Sequence, residues 1–212
     1  LVNDVGVSKN PVFKLSHGNT KIGTSCTRRT AFINHFYPQA EVVPIRGNLQ
    51  TRIRKLGEGE CDALILAFAG VHRMGYDNLI VEKIETSYFV PPVGQGTIAI
   101  ECHKKLSLEK KDHIRRYANH PETENCVRAE RAFLKTLHGG CSIPSFGYAH
   151  YEHQLITLKG GIISLDGKKI IKVKHTAPPE DARELGKRVG QEVLADGGDE
   201  ILTEIRKAIN VC

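Results

Sequence analysis

One thiol and a set of arginines are the residues whose type and spacing point to chemistry. The thiol is Cys141, in the run Gly139-Gly140-Cys141-Ser142-Ile143-Pro144. The stretch before it, 123–138, has helical spacing, with Val127, Phe133, Leu134 and Leu137 on one broad face. Gly139 or Gly140 can take the left-handed position that closes such a helix. Cys141 then sits in a tight turn, with room for a bulky group against the backbone. The plain alternative is a small buried thiol after a helix cap, a common setting for free cysteine.

The arginines follow strands. Lys21-Ile22-Gly23-Thr24 reads as a strand and leads into Ser25-Cys26-Thr27-Arg28-Arg29. A second strand, 41–45, leads into Arg46-Gly47-Asn48, with Arg52 one helical turn further; a third, 63–67, leads into Ala69-Gly70-Val71-His72-Arg73. In an open parallel sheet the ligand crevice lies beyond the carboxyl ends of the strands, so these groups are expected on one rim. Arg28 and Arg29 fall in the first turn of a helix over 27–37, where the macrodipole disfavours a cation by about 0.3–1 kcal/mol. A bound anion would reverse that, and it could also take hydrogen bonds from the free N–H groups and the Thr24 and Ser25 hydroxyls. Arginine rather than lysine suits paired hydrogen bonds to carboxylates or phosphates. Taken singly, each arginine is also explained as loop surface. Arg54 and Lys55 read as a solvated helix face and stand outside the set.

These groups must be positioned by alternating strands and helices, with a helix over 49–56 completing the βαβ pattern of a parallel sheet. Residues 1–20 read as a lead-in. Further strands are expected over 86–90 and, after Val93-Gly94-Gln95-Gly96, over 97–102; a charged helix follows over 106–117. Beyond Pro144 the pattern changes to strands at 155–158, 162–165 and 170–175. Gly160-Gly161 and Asp166-Gly167 stand between them as turns. Helices are expected over 180–194 and 201–209. The fold class is thus α/β: a parallel-sheet βαβ domain over 1–96, a crossing segment over 97–117, and a smaller α+β domain over 118–212. The last has a three-stranded antiparallel sheet with helices on one face.

Composition narrows the partners. The net charge is +6, which favours an anionic partner. Aromatic residues are 6% and Trp is absent, which argues against a single-stranded nucleic-acid binder built on stacking. The six cysteines show no CxxC pair and no zinc spacing, so reduced thiols in a cytosol-like compartment and no metal are expected. There is no apolar run of membrane-spanning length and no signal-peptide pattern. The chain begins at Leu1 and its one methionine is Met74, so either the N-terminus was removed or this is a piece of a longer protein.

Six motifs in order resemble the porphobilinogen deaminases (hydroxymethylbilane synthases). They are Gly23-Thr24-Ser25-Cys26-Thr27-Arg28-Arg29, Ile45-Arg46-Gly47-Asn48-Leu49-Gln50-Thr51-Arg52 and Ala69-Gly70-Val71-His72-Arg73-Met74-Gly75. Val93-Gly94-Gln95-Gly96, Ala129-Glu130-Arg131-Ala132-Phe133-Leu134 and Gly139-Gly140-Cys141 complete them. The resemblance implies a periplasmic-binding-protein-like first domain and a dipyrromethane cofactor held by a thioether to Cys141. It implies that four porphobilinogen units are added to that cofactor, each losing ammonia, and that the linear tetrapyrrole hydroxymethylbilane is released by hydrolysis, as a step of heme biosynthesis. The growing polypyrrole is a polycarboxylate. By resemblance Arg28, Arg29, Arg46, Arg52 and Arg73 pair with its carboxylates, and Thr24 and Asn48 add hydrogen bonds. Ser25, Cys26 and Gln95 belong to the same binding set, and Gly70 lets a ring approach the backbone. A monomeric, cytoplasmic transferase is implied, with an organellar stroma or matrix as the other setting; no nucleic acid and no membrane are partners.

Two departures stand out. The family reads Thr-Ser-Ser where this chain has Cys26 at the second serine, and a thiol is the weaker hydrogen-bonding group. The family also has about a hundred further N-terminal residues, by the same resemblance, which form most of a first α/β domain and supply the catalytic aspartate. Neither Asp62 nor Asp77 matches that aspartate, so no catalytic residue is assigned in this chain, and alone it is expected to be nearly inactive. The segment 97–116 would return to that missing domain and here lacks sheet partners. Two other readings stand beside this one: an anion-binding α/β module without chemistry, and, on net charge alone, a nucleic-acid binder.

Overall fold

The computed structural model describes residues 1–140 and 142–210, the last two by backbone alone. The first sheet has the order β3-β2-β4-β1-β5, with β1 at Asp4–Val7, β2 at Lys21–Gly23, β3 at Glu41–Val43, β4 at Ala63–Ala67 and β5 at Ile80–Lys83. β2 runs parallel to both β3 and β4, as the alternation of elements predicts. Helix α1 (Thr27–Phe36) joins β2 to β3, and α2 (Leu49–Gly57) carries the chain back across β2 to β4. The strand order therefore reverses at β2, and the topological switch point lies at its carboxyl end.

Three expectations are corrected here. Residues 1–20 are not a lead-in: they supply β1, which pairs antiparallel with β4 and β5 and makes the sheet mixed rather than parallel. All four residues of β1 are buried, so the apolar/polar alternation that marks a half-exposed strand is missing. Val5, Val7, Phe13 and Leu15 all enter the core. The strand expected over 86–90 is a turn, and the edge strand is β5. Residues 97–102 form no strand, with Ile98 and Ile100 exposed.

The chain continues through α3 (Phe68–Arg73), α4 (Leu108–Ala118) and α5 (Pro121–Thr136). Proline at the first position of α5, the His120 ring accepting from the Thr123 N–H at 3.2 Å, and Glu122 and Glu124 in the first turn all favour a helix start there. The second sheet has the order β6-β7-β8, all antiparallel: Ser145–Glu152, Leu155–Ile163 and Ile170–Ala177. Its three strands match the expected number but not the expected bounds. Gly160-Gly161 does not separate two strands; it lies within β7. A Cβ on Gly160 would stand 2.7 Å from the Phe133 ring, and one on Gly161 would stand 2.4 Å from Phe146. These glycines let aromatic rings press onto the sheet.

Ile156, Leu158 and Ile162 turn one face of β7 toward Phe133 of α5, Val189 of α6 (Ala182–Val193) and Ile205 of α7 (Asp199–Asn210). The other face sends Ile163, with Phe146 of β6, into the core around Phe32 and Phe89. The Asp166-Gly167 turn forms as expected and docks on α1. Gly167 has φ +77°, a Cβ there would stand 2.6 Å from the Ala31 carbonyl oxygen, and its own carbonyl oxygen is 2.7 Å from His35 Nδ1.

Candidate functional site

The switch point is built from the end of β2. The Thr24 N–H donates to Val43 O at 3.0 Å, and Thr24 Oγ1 accepts from the Cys26 N–H at 3.2 Å. That turn delivers the chain into α1, whose N-cap is Cys26 with no side-chain capping bond. Arg28 and Arg29 follow, and both point inward to Asp4 of β1. Arg28 donates from Nη2 to Asp4 Oδ2 at 2.5 Å and from Nη1 to Val90 O at 2.9 Å; Arg29 donates from Nε and Nη2 to Oδ1 at 3.1 and 2.7 Å. Gln95 Nε2 donates to Asp4 Oδ1 at 3.2 Å and to Val2 O at 2.6 Å. Phe32 and Phe89 cover the Arg28 guanidinium, their ring centres 5.6 and 5.5 Å from its carbon.

The counter-charge for the first turn of α1 is therefore inside the chain. Burial works to raise the pKa of Asp4, but the charges of Arg29 and Arg28 and their hydrogen bonds together outweigh it and hold the carboxyl below its ordinary range. Arg28 is itself pulled down by burial, partly offset by Asp4. It is 3% exposed and its Nε is buried without a partner. Arg28 thus locks the turn, while Arg29 shows no hydrogen bond from Nη1 among the described residues.

The rim around this lock is open. Arg52 donates from Nε to Gly47 O at 2.8 Å. Its pKa is lowered by partial burial and then by the positive charge of Arg29. Asn48 caps α2, its Oδ1 accepting from the Thr51 N–H and Oγ1 at 2.9 Å. Gly47, at φ +120°, supplies a backbone angle that side-chain-bearing residues rarely adopt. Arg46, Asn48 and Ser25 are exposed, and Arg46 and Arg73 make no ion pair among the described residues. The structure thus brings Thr24, Cys26, Arg28, Arg29, Arg52 and Gln95 together at the end of β2, with Arg46 and Asn48 following the adjacent strand. The segment expected as a strand break is α3, and Arg73 is its last residue, about 8 Å along the axis from its start. Gly70, within α3, has open space where a Cβ would be.

Cys141 lies outside the described residues, but the approach to it is clear. Helix α5 closes in a Schellman motif, with His138 N–H donating to Lys135 O and Gly139 N–H to Leu134 O, both at 3.1 Å. The left-handed residue is His138, at φ +47°, and not a glycine as the sequence suggests. Gly139 is needed for packing instead: a Cβ there would stand 2.6 Å from Leu134 Cδ1, whereas one on Gly140 would meet nothing. Among the other thiols, burial, helped by neighbouring carboxylates, pushes Cys61 and Cys126 up to about 11. Cys26 is half-buried and Cys102 exposed. No cluster of His, Cys, Asp or Glu suited to a metal is found among the described residues.

Sequence reasoning missed two buried carboxylates. Asp4 sits in a stretch read as irregular. Glu130 of α5 was quoted within a motif but given no role. Its Oε2 accepts from the Gly94 N–H at 2.7 Å and its Oε1 from the Ala149 N–H at 2.8 Å. It ties α5 to the loop carrying Gln95. The signal for Asp4 is an acid before the run Val5-Gly6-Val7; Glu130, between Ala129 and Arg131, carries none.

Guanidinium groups on the rim, with hydroxyl and amide groups beside them, mark the switch point of an α/β domain as a place suited to an anionic ligand, and the chain continues into a small α+β domain. Residues 2–110 match the family model "Porphobilinogen deaminase, dipyromethane cofactor binding domain", and residues 124–195 match "Porphobilinogen deaminase, C-terminal domain". The chain is similar to the porphobilinogen deaminase of Cytophaga hutchinsonii, at 51% identity over 211 residues, 99% of this chain and 68% of that protein. Its similarity to the one from Desulfosudis oleivorans is 51% over 186 residues, 88% of this chain and 60% of that protein. For the Geobacter sulfurreducens protein it is 39% over 202 residues, 95% and 63%. The chain belongs to the porphobilinogen deaminase family, and it spans roughly two thirds of the length of these relatives.

Proposed function

We propose that this chain carries the cofactor-attachment and polycarboxylate-holding parts of a porphobilinogen deaminase, the transferase that builds hydroxymethylbilane from four porphobilinogen units. What supports the reading is the gathering of Thr24, Arg29, Arg52 and Gln95 at the switch point, with Arg46 on the neighbouring loop. The residues fit a dipyrromethane: its carboxylates would meet Arg46, Arg52 and Arg29 Nη1, and its thioether would form at Cys141. When bound, the dipyrromethane supplies the free pyrrole carbon to which the next unit couples. The chain's own groups bind and orient. Asp4 holds Arg28 and Arg29 in place, so that Arg29 presents its remaining N–H groups without the entropy loss of ordering a free side chain. Thr24 fixes the turn before α1. Asn48 and Gly47 set the start of α2, two residues after Arg46. No residue of this chain is assigned to move the proton that lets ammonia leave.

The domain boundary is placed near residue 118, with 97–117 as a crossing segment that meets an N-terminal domain in the same or another polypeptide. Among the described residues no helix is long and apolar enough to cross a membrane. The proposal is a cytoplasmic monomer that acts on porphobilinogen and binds no nucleic acid. The test is peptide mapping of protein produced with its cofactor, expected to find the pyrrole adduct on Cys141. An adduct on Cys26 or Cys102 would overturn the assignment. In parallel, Arg46→Ala should weaken binding of a pyrrole dicarboxylate by about 1.5–3 kcal/mol, and an unchanged affinity would count against the rim.

A further inference from the structure

A second basic feature lies away from the switch point. Helices α5 and α6 enclose a cleft of about 1080 Å³. Arg128, Arg131, Lys135 and His138 line it from α5 and its end; Arg183 and Lys187 line it from α6, and no carboxylate lines it. Ala132 and Leu134 add apolar surface to its lining, which also includes Gly139.

The two basic stripes are forced together by close packing. A Cβ on Gly186 would stand 2.1 Å from the Ala129 carbonyl oxygen, and one on Gly190 would stand 2.7 Å from Thr136 Cβ. Residues 128, 131 and 135 share one face of α5, and 183 and 187 share one face of α6, so like charges confront each other. Two of them are matched nearby: Arg128 with Glu124 at 2.6 Å and Lys187 with Glu184 at 2.6 Å. Arg131, Lys135 and Arg183 have no ion pair or side-chain hydrogen bond among the described residues. Arg183 also sits in the first turn of α6, where the helix dipole adds to the repulsion.

We infer that this cleft is a second polyanion site, distinct from the rim, that takes the carboxylates of a pyrrole-borne polycarboxylate. The volume is that of a small-molecule site, whereas a protein partner would need a face of about 800 Å². The apolar lining residues suit pyrrole rings and the basic ones suit their carboxylates. The cleft's lining includes Gly139, two residues before Cys141 in the sequence. That choice of ligand rests on the family reading above.

The experiment is calorimetric titration of the 212-residue chain with a tetrapyrrole octacarboxylate, at two salt concentrations. The double variant R131Q/R183Q should bind at least about tenfold more weakly, the effect of losing one charged hydrogen bond or more, and with a shallower salt dependence. R131K/R183K, which keeps the charges, should retain most of that salt dependence. Both pairs are exposed, and an unchanged melting temperature checks that the fold is intact. Wild-type affinity in R131Q/R183Q overturns the proposal. If R46Q/R52Q abolishes binding while R131Q/R183Q is silent, the second site fails and the family reading stands. Absence of octacarboxylate binding by the wild-type chain overturns the second site too, while the adduct on Cys141 still judges the family reading separately. Tighter binding of inorganic tripolyphosphate or of a single-stranded oligonucleotide than of the octacarboxylate overturns the choice of ligand.

Discussion

Asp4 and Glu130 are both buried carboxylates, at 1% and 5% exposure, yet the fold sets them in opposite directions. Asp4 faces two guanidinium groups and is held below its ordinary range. Glu130 faces two peptide N–H groups; burial pushes it up to about 7, and those two hydrogen bonds offset only part of the rise. Depth does not decide the charge. The partners do: a full opposite charge outweighs desolvation, and a pair of amide dipoles does not. The two sites are joined by neighbouring residues, since the Gly94 N–H donates to Glu130 and the Gln95 side chain donates to Asp4. The loop 93–96 is therefore pinned at one end by an ionised carboxylate and at the other by one that titrates near neutrality.

The strongest way to break this contrast is to remove Asp4. Asp4→Ala leaves Arg28 and Arg29 buried without a counter-charge, a change that typically costs about 3–5 kcal/mol. Asp4→Asn should cost nearly as much, because it keeps the shape and loses the charge. Urea unfolding measures both. A loss below about 1 kcal/mol in either would mean that the arginines find another anion or solvent, and that the lock is not ionic.

The next test separates the two carboxylates by pH. The folded-state pKa of Glu130 is raised to about 7, above an unfolded value near about 4.3. Its contribution is full below the unfolded pKa and is lost as pH rises toward about 7, because the folded state holds a proton the unfolded state has released. The size is about 4 kcal/mol. Asp4 has the opposite sign: its contribution is present above its unfolded pKa, near about 3.9, and is lost as pH falls below that. Glu130→Gln should flatten the stability profile between about pH 4.3 and 7 and leave the acid limb in place. A Glu130→Gln profile parallel to wild type across that window would show that Glu130 ionises in the fold at its ordinary pKa.

The contrast also explains what the sequence displayed and what it hid. β2, α1, β3, α2 and β4 were legible because each has its own period and its own glycine or cap, and the arginines after the strands were legible because strand ends face the crevice. β1 was hidden because a strand buried on every side has no alternation, and its Asp and Gly are poor strand formers. With β1 hidden, so was the anion that answers Arg28 and Arg29, since a contact between residues 4 and 28 leaves no mark in local spacing. The same holds for Gly160-Gly161. A glycine pair reads as a turn, and only the Phe133 and Phe146 rings pressing on it reveal a strand. At the end of α5 the left-handed residue is His138, one or two positions before the expected glycines, and it was hidden because a left-handed histidine is uncommon.

The smallest expected effect sharpens the account of α1. Cys26 has extended backbone angles, φ −93° and ψ 117°, at the N-cap of α1, and its side chain makes no capping bond. The N–H groups of Arg28 and Arg29 are the ones an N-cap side chain would satisfy. A serine hydroxyl is a better acceptor than a thiol, and the backbone is already in the capping conformation. Cys26→Ser should therefore stabilise the chain by about 1 kcal/mol, a rise in melting temperature of about 2–4 °C. Cys26→Ala is the control, since it removes the thiol without adding an acceptor. The serine variant should melt above both the alanine variant and the wild type. Equal melting of the serine and alanine variants would mean that the hydroxyl finds no N–H at the start of α1. The first turn would then be fixed by the Asp4–arginine lock alone, and the Thr24 turn would have no need of a cap beside it.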